Sequence, residues 1–127
     1  MTNREAGTEG RRRAYRLGLS AETLVAWHYR VRGFLVVARR FRSPVGEIDL
    51  VARRGRLLVF VEVKARSRPE DGLEAVNRAA RRRIAAAAER FVARHPGLAG
   101  HDRRFDVAVV SPRRWPVIVA DAFPSDP

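Results

Sequence analysis

Asp49, Glu62 and Lys64 are the residues of this chain whose types and spacing could do chemistry. They lie in Val45-Gly46-Glu47-Ile48-Asp49-Leu50-Val51-Ala52 and Leu57-Leu58-Val59-Phe60-Val61-Glu62-Val63-Lys64, two strand-like runs. Arg53-Arg54-Gly55-Arg56 joins them as a connector of hairpin type. The second run is apolar enough to be buried on both faces, yet it ends in two charged residues. Taking an ionised carboxylate out of water without a partner is costly, so Glu62 is expected to be paired or metal-bound. Residues two apart on a strand share a face, which puts Glu62 and Lys64 together, and a hairpin can bring Asp49 beside Glu62. Two acids and one lysine then converge at one spot on a sheet.

Paired carboxylates offer hard oxygen ligands, the preference of Mg²⁺ or Mn²⁺. Such a cation can polarise a phosphoryl oxygen, make a water nucleophilic and offset charge on the leaving oxygen. Lys64 could orient that water or stabilise negative charge at phosphorus. Phosphodiester cleavage needs these parts. As a bare pattern, an Asp followed after 12 residues by Glu-x-Lys arises by chance; its placement on two adjacent strand-like runs is what lifts it. A competing reading is a plain ion pair, Asp49–Lys64 or Glu62–Lys64, that holds a sheet end together, since ion pairs without catalytic roles are common. Strict alternation puts Glu47 on the face of Asp49 and Val51, with Ile48, Leu50 and Ala52 opposite, and Glu47 reads most simply as a solvated strand end.

The composition singles out the lysine. Of 26 basic residues 25 are arginine, and the one lysine is Lys64. Lysine is a compact point charge whose pKa can move, whereas guanidinium is a planar fork that stays protonated. A chain that uses arginine everywhere else keeps lysine where arginine would not serve.

The net charge of +12 suggests a polyanionic partner, with nucleic acid ahead of a membrane surface. The candidate contacts are Arg39, Arg40, Arg42, Arg66, Arg81 and Arg82. An arginine-rich genome would leave the same composition, and only binding tells the two apart. No run approaches the length of apolar residues that a membrane span needs, and the first residues are polar and basic rather than a secretory signal. With no cysteine there is no disulfide, no thiolate chemistry and no cysteine-based zinc site, so a cytoplasmic protein is expected. His28, His95 and His101 lack metal-ligand spacing, Trp27 and Trp115 read as packing residues, and Asp106 reads as an anchor for a turn or salt bridge.

The elements that must position the site follow in order. Residues 1–13 read as a mobile basic arm, 14–123 as one domain and 124–127 as a loose tail. A helix begins within residues 14–20 and ends at Gly33, with an apolar stripe of Leu17, Ala21, Leu24, Val25 and His28. A strand starting at Phe34 leads through Ser43-Pro44-Val45-Gly46 into the hairpin. Residues 66–72 are turn-rich, and one long helix is expected over 73–94, its apolar face made by Leu73, Val76, Ala80, Ile84, Ala87, Ala88 and Phe91. Strands over 104–110 and 117–120 close the chain. The fold class is therefore α/β, in the order α-β-β-β-α-β-β. Three strands on short connectors make an antiparallel meander, and the long helix supplies the crossover that a parallel strand requires. A mixed sheet flanked by helices results.

Several stretches resemble a known family: Ala21-Glu22-Thr23-Leu24-Val25-Ala26, Arg32-Gly33-Phe34, Gly46-Glu47-Ile48-Asp49-Leu50-Val51, Phe60-Val61-Glu62-Val63-Lys64-Ala65-Arg66 and Arg104-Phe105-Asp106-Val107. They are similar to the YraN-like family of small bacterial proteins, related to archaeal Holliday-junction resolvases within the PD-(D/E)XK nuclease superfamily. The resemblance implies a restriction-endonuclease-like core, with Asp49 and Glu62 as ligands of Mg²⁺ or Mn²⁺ and Lys64 as catalytic base or charge stabiliser. It also implies that Glu22 is the acidic residue such nucleases often contribute from the first helix. The expectation is a metal-dependent endonuclease acting on DNA, branched or damaged structures included, and a homodimer if it cuts junctions. The alternative is a non-catalytic nucleic-acid-binding module that keeps the fold.

Overall fold

The computed structural model describes residues 20–74 and 76–124, so the expected basic arm, the expected helix positions before Ser20 (Leu17 among them) and the last three residues lie outside it. Helix α1 (Ala21–Arg30) opens on Ser20, whose hydroxyl accepts the Thr23 N–H at 3.2 Å and so satisfies a donor that a helix start leaves unpaired. Strands β1 (Leu35–Ser43), β2 (Gly46–Arg54) and β3 (Leu57–Ala65) form the expected antiparallel meander. Helices α2 (Glu70–Glu74) and α3 (Arg78–Arg94) and a 3-10 turn (Pro96–Leu98) carry the chain over to β4 (Asp102–Val110), which pairs parallel with β3. Strand β5 (Val117–Phe123) returns antiparallel to β4, giving a mixed sheet in the order β1-β2-β3-β4-β5. The α-β-β-β-α-β-β order expected of a restriction-endonuclease-like core is thus the order observed. No helix among the described residues is long and apolar enough to cross a membrane.

The sheet is packed on both faces. Val25, Ala26 and Tyr29 of α1 sit with Leu50, Ala52, Val59, Val61 and Ala108. On the opposite face Ile84, Ala87, Ala88 and Phe91 of α3 meet Val51, Leu58, Phe60, Phe105 and Val107. Because both faces of β3 are covered, its sequence reads as an uninterrupted apolar run rather than an alternating one.

Three expectations need correction. The helix expected over 73–94 is two helices, and part of the loop expected before it is helical. The break falls at Asn77, whose side chain accepts the Ala80 N–H at 2.9 Å and starts α3 afresh. In α2, a Cβ on Gly72 would stand 2.3 Å from Val109 Cγ2, so only glycine lets this short helix lie against β4. The buried stripe of α1 is also turned from the expected one: Ala26 and Tyr29 are buried with Leu24 and Val25, while His28 is half-exposed. Finally, β2 does not alternate strictly. Ile48 and Val51 both face α3, whereas Leu50 and Ala52 face α1, so the strand breaks step at Asp49.

Tyr29 turns inward because a partner waits there. Its hydroxyl donates to Asp106 Oδ2 at 2.7 Å, and burial together with that bond pushes the phenol well above its ordinary pKa. Asp106, fully buried, also takes two hydrogen bonds of 2.9 Å from Arg104 and one of 2.9 Å from the Asp121 N–H. Asp106 is therefore an anchor, as its sequence context suggested, and it ties α1 to β4 and β5. Tyr29→Phe should cost about 1.5–3 kcal/mol, the range for losing one hydrogen bond to a charged group. The check is a lower denaturant midpoint at unchanged slope, and an unchanged midpoint would contradict it.

Candidate active site

The β2–β3 ladder runs from Arg54 opposite Leu57 to Leu50 opposite Val61. Asp49 and Glu62 stand at the next position, where that pairing has ended. There the Asp49 side chain takes over from the backbone: its Oδ2 accepts the Val63 N–H at 2.7 Å. The carboxylate is thereby held between the two strands, beside Glu62. Glu62 Oε1 in turn lies 3.1 Å from Lys64 Nζ, with the two side chains 17% and 26% exposed. The entry to β2 is set by a close approach, since a Cβ on Gly46 would come within 2.7 Å of the Arg83 carbonyl oxygen on α3. Sequence reasoning placed these three groups together, and they are together.

Their electrostatics are those of a crowded acidic pair. Burial, chiefly, raises the Asp49 pKa; the charges of Glu22 and Glu47 add to it, while the Val63 N–H and Lys64 oppose it. Burial likewise leads in raising Glu62, followed by the charge of Asp49, with Lys64 acting against both. Two carboxylates that are partly desolvated and repel each other are stabilised by a cation, and their oxygens are the donors that Mg²⁺ and Mn²⁺ prefer. Among the described residues no three or more His, Cys, Asp or Glu side chains are grouped to hold a metal. A cation held here by Asp49 and Glu62 would have only this pair as carboxylate ligands among the described residues and would need water or phosphate oxygens for its other positions, as Mg²⁺ commonly does.

Glu22 acts on Asp49 through its charge, so it lies on the same side of the sheet end, but it is engaged. Its Oε2 is 2.8 Å from Arg40 Nε, and Arg40 has a left-handed backbone at φ +53°. Next to it Arg39 donates to Thr23 Oγ1 at 2.9 Å, so this segment of β1 is docked on the start of α1. Arg42 pairs with exposed Glu47 at 3.2 Å. Arg66 donates to the Ala65 carbonyl, its own neighbour in the chain. Arg81 donates to the Val76 carbonyl at 3.0 Å and lies 5.6 Å from the Phe123 ring centroid. With Arg78, Arg82, Phe123 and Pro124 it lines an open groove of about 460 Å³. The six candidate arginines thus do not form one patch: three surround the start of α1 and the β1–β2 hairpin, two belong to the start of α3, and Arg66 directly follows β3.

Trp27 and Trp115 are not packing residues, contrary to expectation. Trp27 lies off the buried stripe of α1, and Trp115 lies in the β4–β5 connection; both stay about half exposed. The signal that would have found them is aromatic residues interleaved with arginine, as in Trp27-His28-Tyr29-Arg30 and Arg113-Arg114-Trp115.

The chain is similar over most of its length to bacterial proteins. It is 52% identical over 110 residues to a UPF0102 protein of Parvibaculum lavamentivorans, covering 87% of this chain and 83% of that one. A UPF0102 protein of Chelativorans sp. is 48% identical over 113 residues, covering 89% of this chain and 91% of the relative. Residues 21–110, which span α1, the meander, the helices and β4, match the uncharacterised protein family UPF0102, and this chain belongs to that family, the YraN-like proteins.

Proposed function

We propose that this protein is a Mg²⁺- or Mn²⁺-dependent endonuclease acting on DNA, with branched or damaged DNA as the substrates to test first. One observation carries the reading: two partly buried carboxylates of raised pKa, Asp49 and Glu62, stand side by side where two strands part, with Lys64 Nζ 3.1 Å from one of them. A bound divalent cation would supply Lewis acidity toward a phosphoryl oxygen and an acidified water. Asp49 and Glu62 would hold the cation, and both would have to be ionised to do so. The Val63 N–H fixes the Asp49 carboxylate before any ligand arrives. Lys64, kept beside Glu62, stabilises negative charge at phosphorus or hydrogen-bonds the attacking water. The +12 charge draws the phosphate backbone without reading its sequence.

A second reading has its own observation. The pairs Lys64–Glu62 and Arg40–Glu22 close part of the site as an ion-pair network, as in a nucleic-acid-binding module that does not cleave. Incubation with linear, nicked and four-way DNA, with and without Mn²⁺, separates the two. Metal-dependent products support the nuclease, and binding without products on every substrate supports the module. In both cases DNA affinity should fall steeply with salt, with a log–log slope of about −0.9 per phosphate contact. An affinity that barely changes between low and physiological salt would mean that the arginines are compositional only.

A further inference from the structure

The chain has 2 tryptophans, and both line one open groove of about 500 Å³ with His28, Val31, Arg32 and Pro116. Trp27 is 52% exposed and Trp115 50%, and Val31 and Val117 are exposed as well. Large aromatic side chains left in water forgo the transfer free energy that burial would supply, and nothing among the described residues covers these. The groove is cationic at its edges. The Arg30 guanidinium stands 5.5 Å from the Trp27 ring centroid, Arg32 belongs to the lining, and Arg113-Arg114 lead into Trp115. None of the described lining residues carries a carboxylate.

Aromatic walls with arginines at the rim fit an anion that also presents flat apolar faces. Single-stranded nucleic acid is such a ligand: its bases stack on aromatic side chains while its phosphates meet guanidinium groups. A second copy of the chain fits poorly, because it would bring another +12 charge against an arginine rim. One wall of the groove, at Arg32, is tied to the far end of the β2–β3 ladder, where Arg54 donates to the Arg32 carbonyl, and the other comes from the site end. Strands β3 and β4 run parallel with Ala65 opposite Val110, so the segment leading to Trp115 leaves the sheet at the end where Lys64 stands. We propose that the Trp27–Trp115 groove binds unpaired nucleobases of a single-stranded segment. The inference rests on the nucleic-acid part of the reading above and not on cleavage.

Because both tryptophans line the groove, intrinsic tryptophan fluorescence reports on it. The test titrates the full chain with a short oligothymidylate and with an abasic phosphodiester oligomer of equal length and charge. The base-bearing oligomer should quench the fluorescence and bind about 10-fold or more tightly than the abasic one. Trp27→Ala and Trp115→Ala should each lose most of that preference at unchanged duplex affinity, while Trp27→Phe and Trp115→Phe keep a stacking surface and most of the preference. Equal binding of the two oligomers, with duplex binding intact, would overturn the groove assignment and leave the nuclease reading standing. Failure to bind any nucleic acid would overturn both. Self-association that Trp27→Ala abolishes, without quenching by oligothymidylate, would overturn the proposal in favour of a second copy.

Discussion

Asp49→Asn should lower Mn²⁺-dependent cleavage by about 10³-fold, the scale of losing a principal electrostatic contact in a transition state, and should do so without unfolding the protein. Asparagine keeps an oxygen that can accept the Val63 N–H, so the local anchor survives while the negative charge that holds a cation is lost. Stability is expected to move the other way. In the folded chain Asp49 is raised above its ordinary value of 3.8, mainly by burial. Above that value the unfolded carboxyl ionises freely while the folded one resists, so the unfolded state binds fewer protons. Stability is therefore lost as pH rises from the ordinary value through the raised one, and it stays lost at neutral pH. Asp49→Asn removes this cost and should melt at or above the wild-type temperature at neutral pH. Below 3.8, where the aspartate is protonated in both states, the difference should shrink away. Added Mn²⁺ should raise the melting temperature of the wild type by mass action and leave that of Asp49→Asn unmoved. A variant that cleaves as well as the parent, or gains as much from Mn²⁺, would remove Asp49 from the metal site.

Lys64→Arg should keep the fold and most DNA binding but lose about 10²-fold in cleavage, comparable to removing a group that stabilises transition-state charge. The cause is geometric. A planar guanidinium cannot take the place of a compact ammonium beside the attacking water and the crowded carboxylates. If Lys64 serves only as the partner of Glu62, arginine should do at least as well, since it can grip a carboxylate with two parallel hydrogen bonds. The two roles agree on melting temperature and differ on turnover, so both should be measured on the same preparations. Equal cleavage would end the catalytic role of Lys64. Wild type and variant equally inactive on every DNA would favour the binding module.

The Asp49–Glu62–Lys64 constellation was legible because each part is a local property. Period-two placement put Glu62 and Lys64 on one side of β3, and the Gly55 connector turned β2 back so that Asp49 came alongside. The meander and the parallel return of β4 followed from connector lengths in the same way, and Lys64 stood out by composition alone. What tertiary structure decided were choices among partners far apart in the chain. Tyr29 faces inward because Asp106, distant in sequence, accepts its hydroxyl, and that turned the buried stripe of α1 away from the one periodicity suggested. Asp49 interrupts the alternation of β2 because its side chain replaces a backbone partner at Val63, a substitution visible only once the strands part. At Asn77 the helix cap is present in the sequence, but an apolar period runs across it, and the close approach of Gly72 to Val109 is a contact made only in the folded chain. Glu22 was assigned to the acidic group by resemblance, and the Arg40 ion pair that engages it depends on a left-handed residue in β1. Periodicity and turn chemistry act over a few residues and are written in the sequence; which face finds a partner, and how far each tryptophan is covered, is settled by surfaces that meet only when the chain has folded.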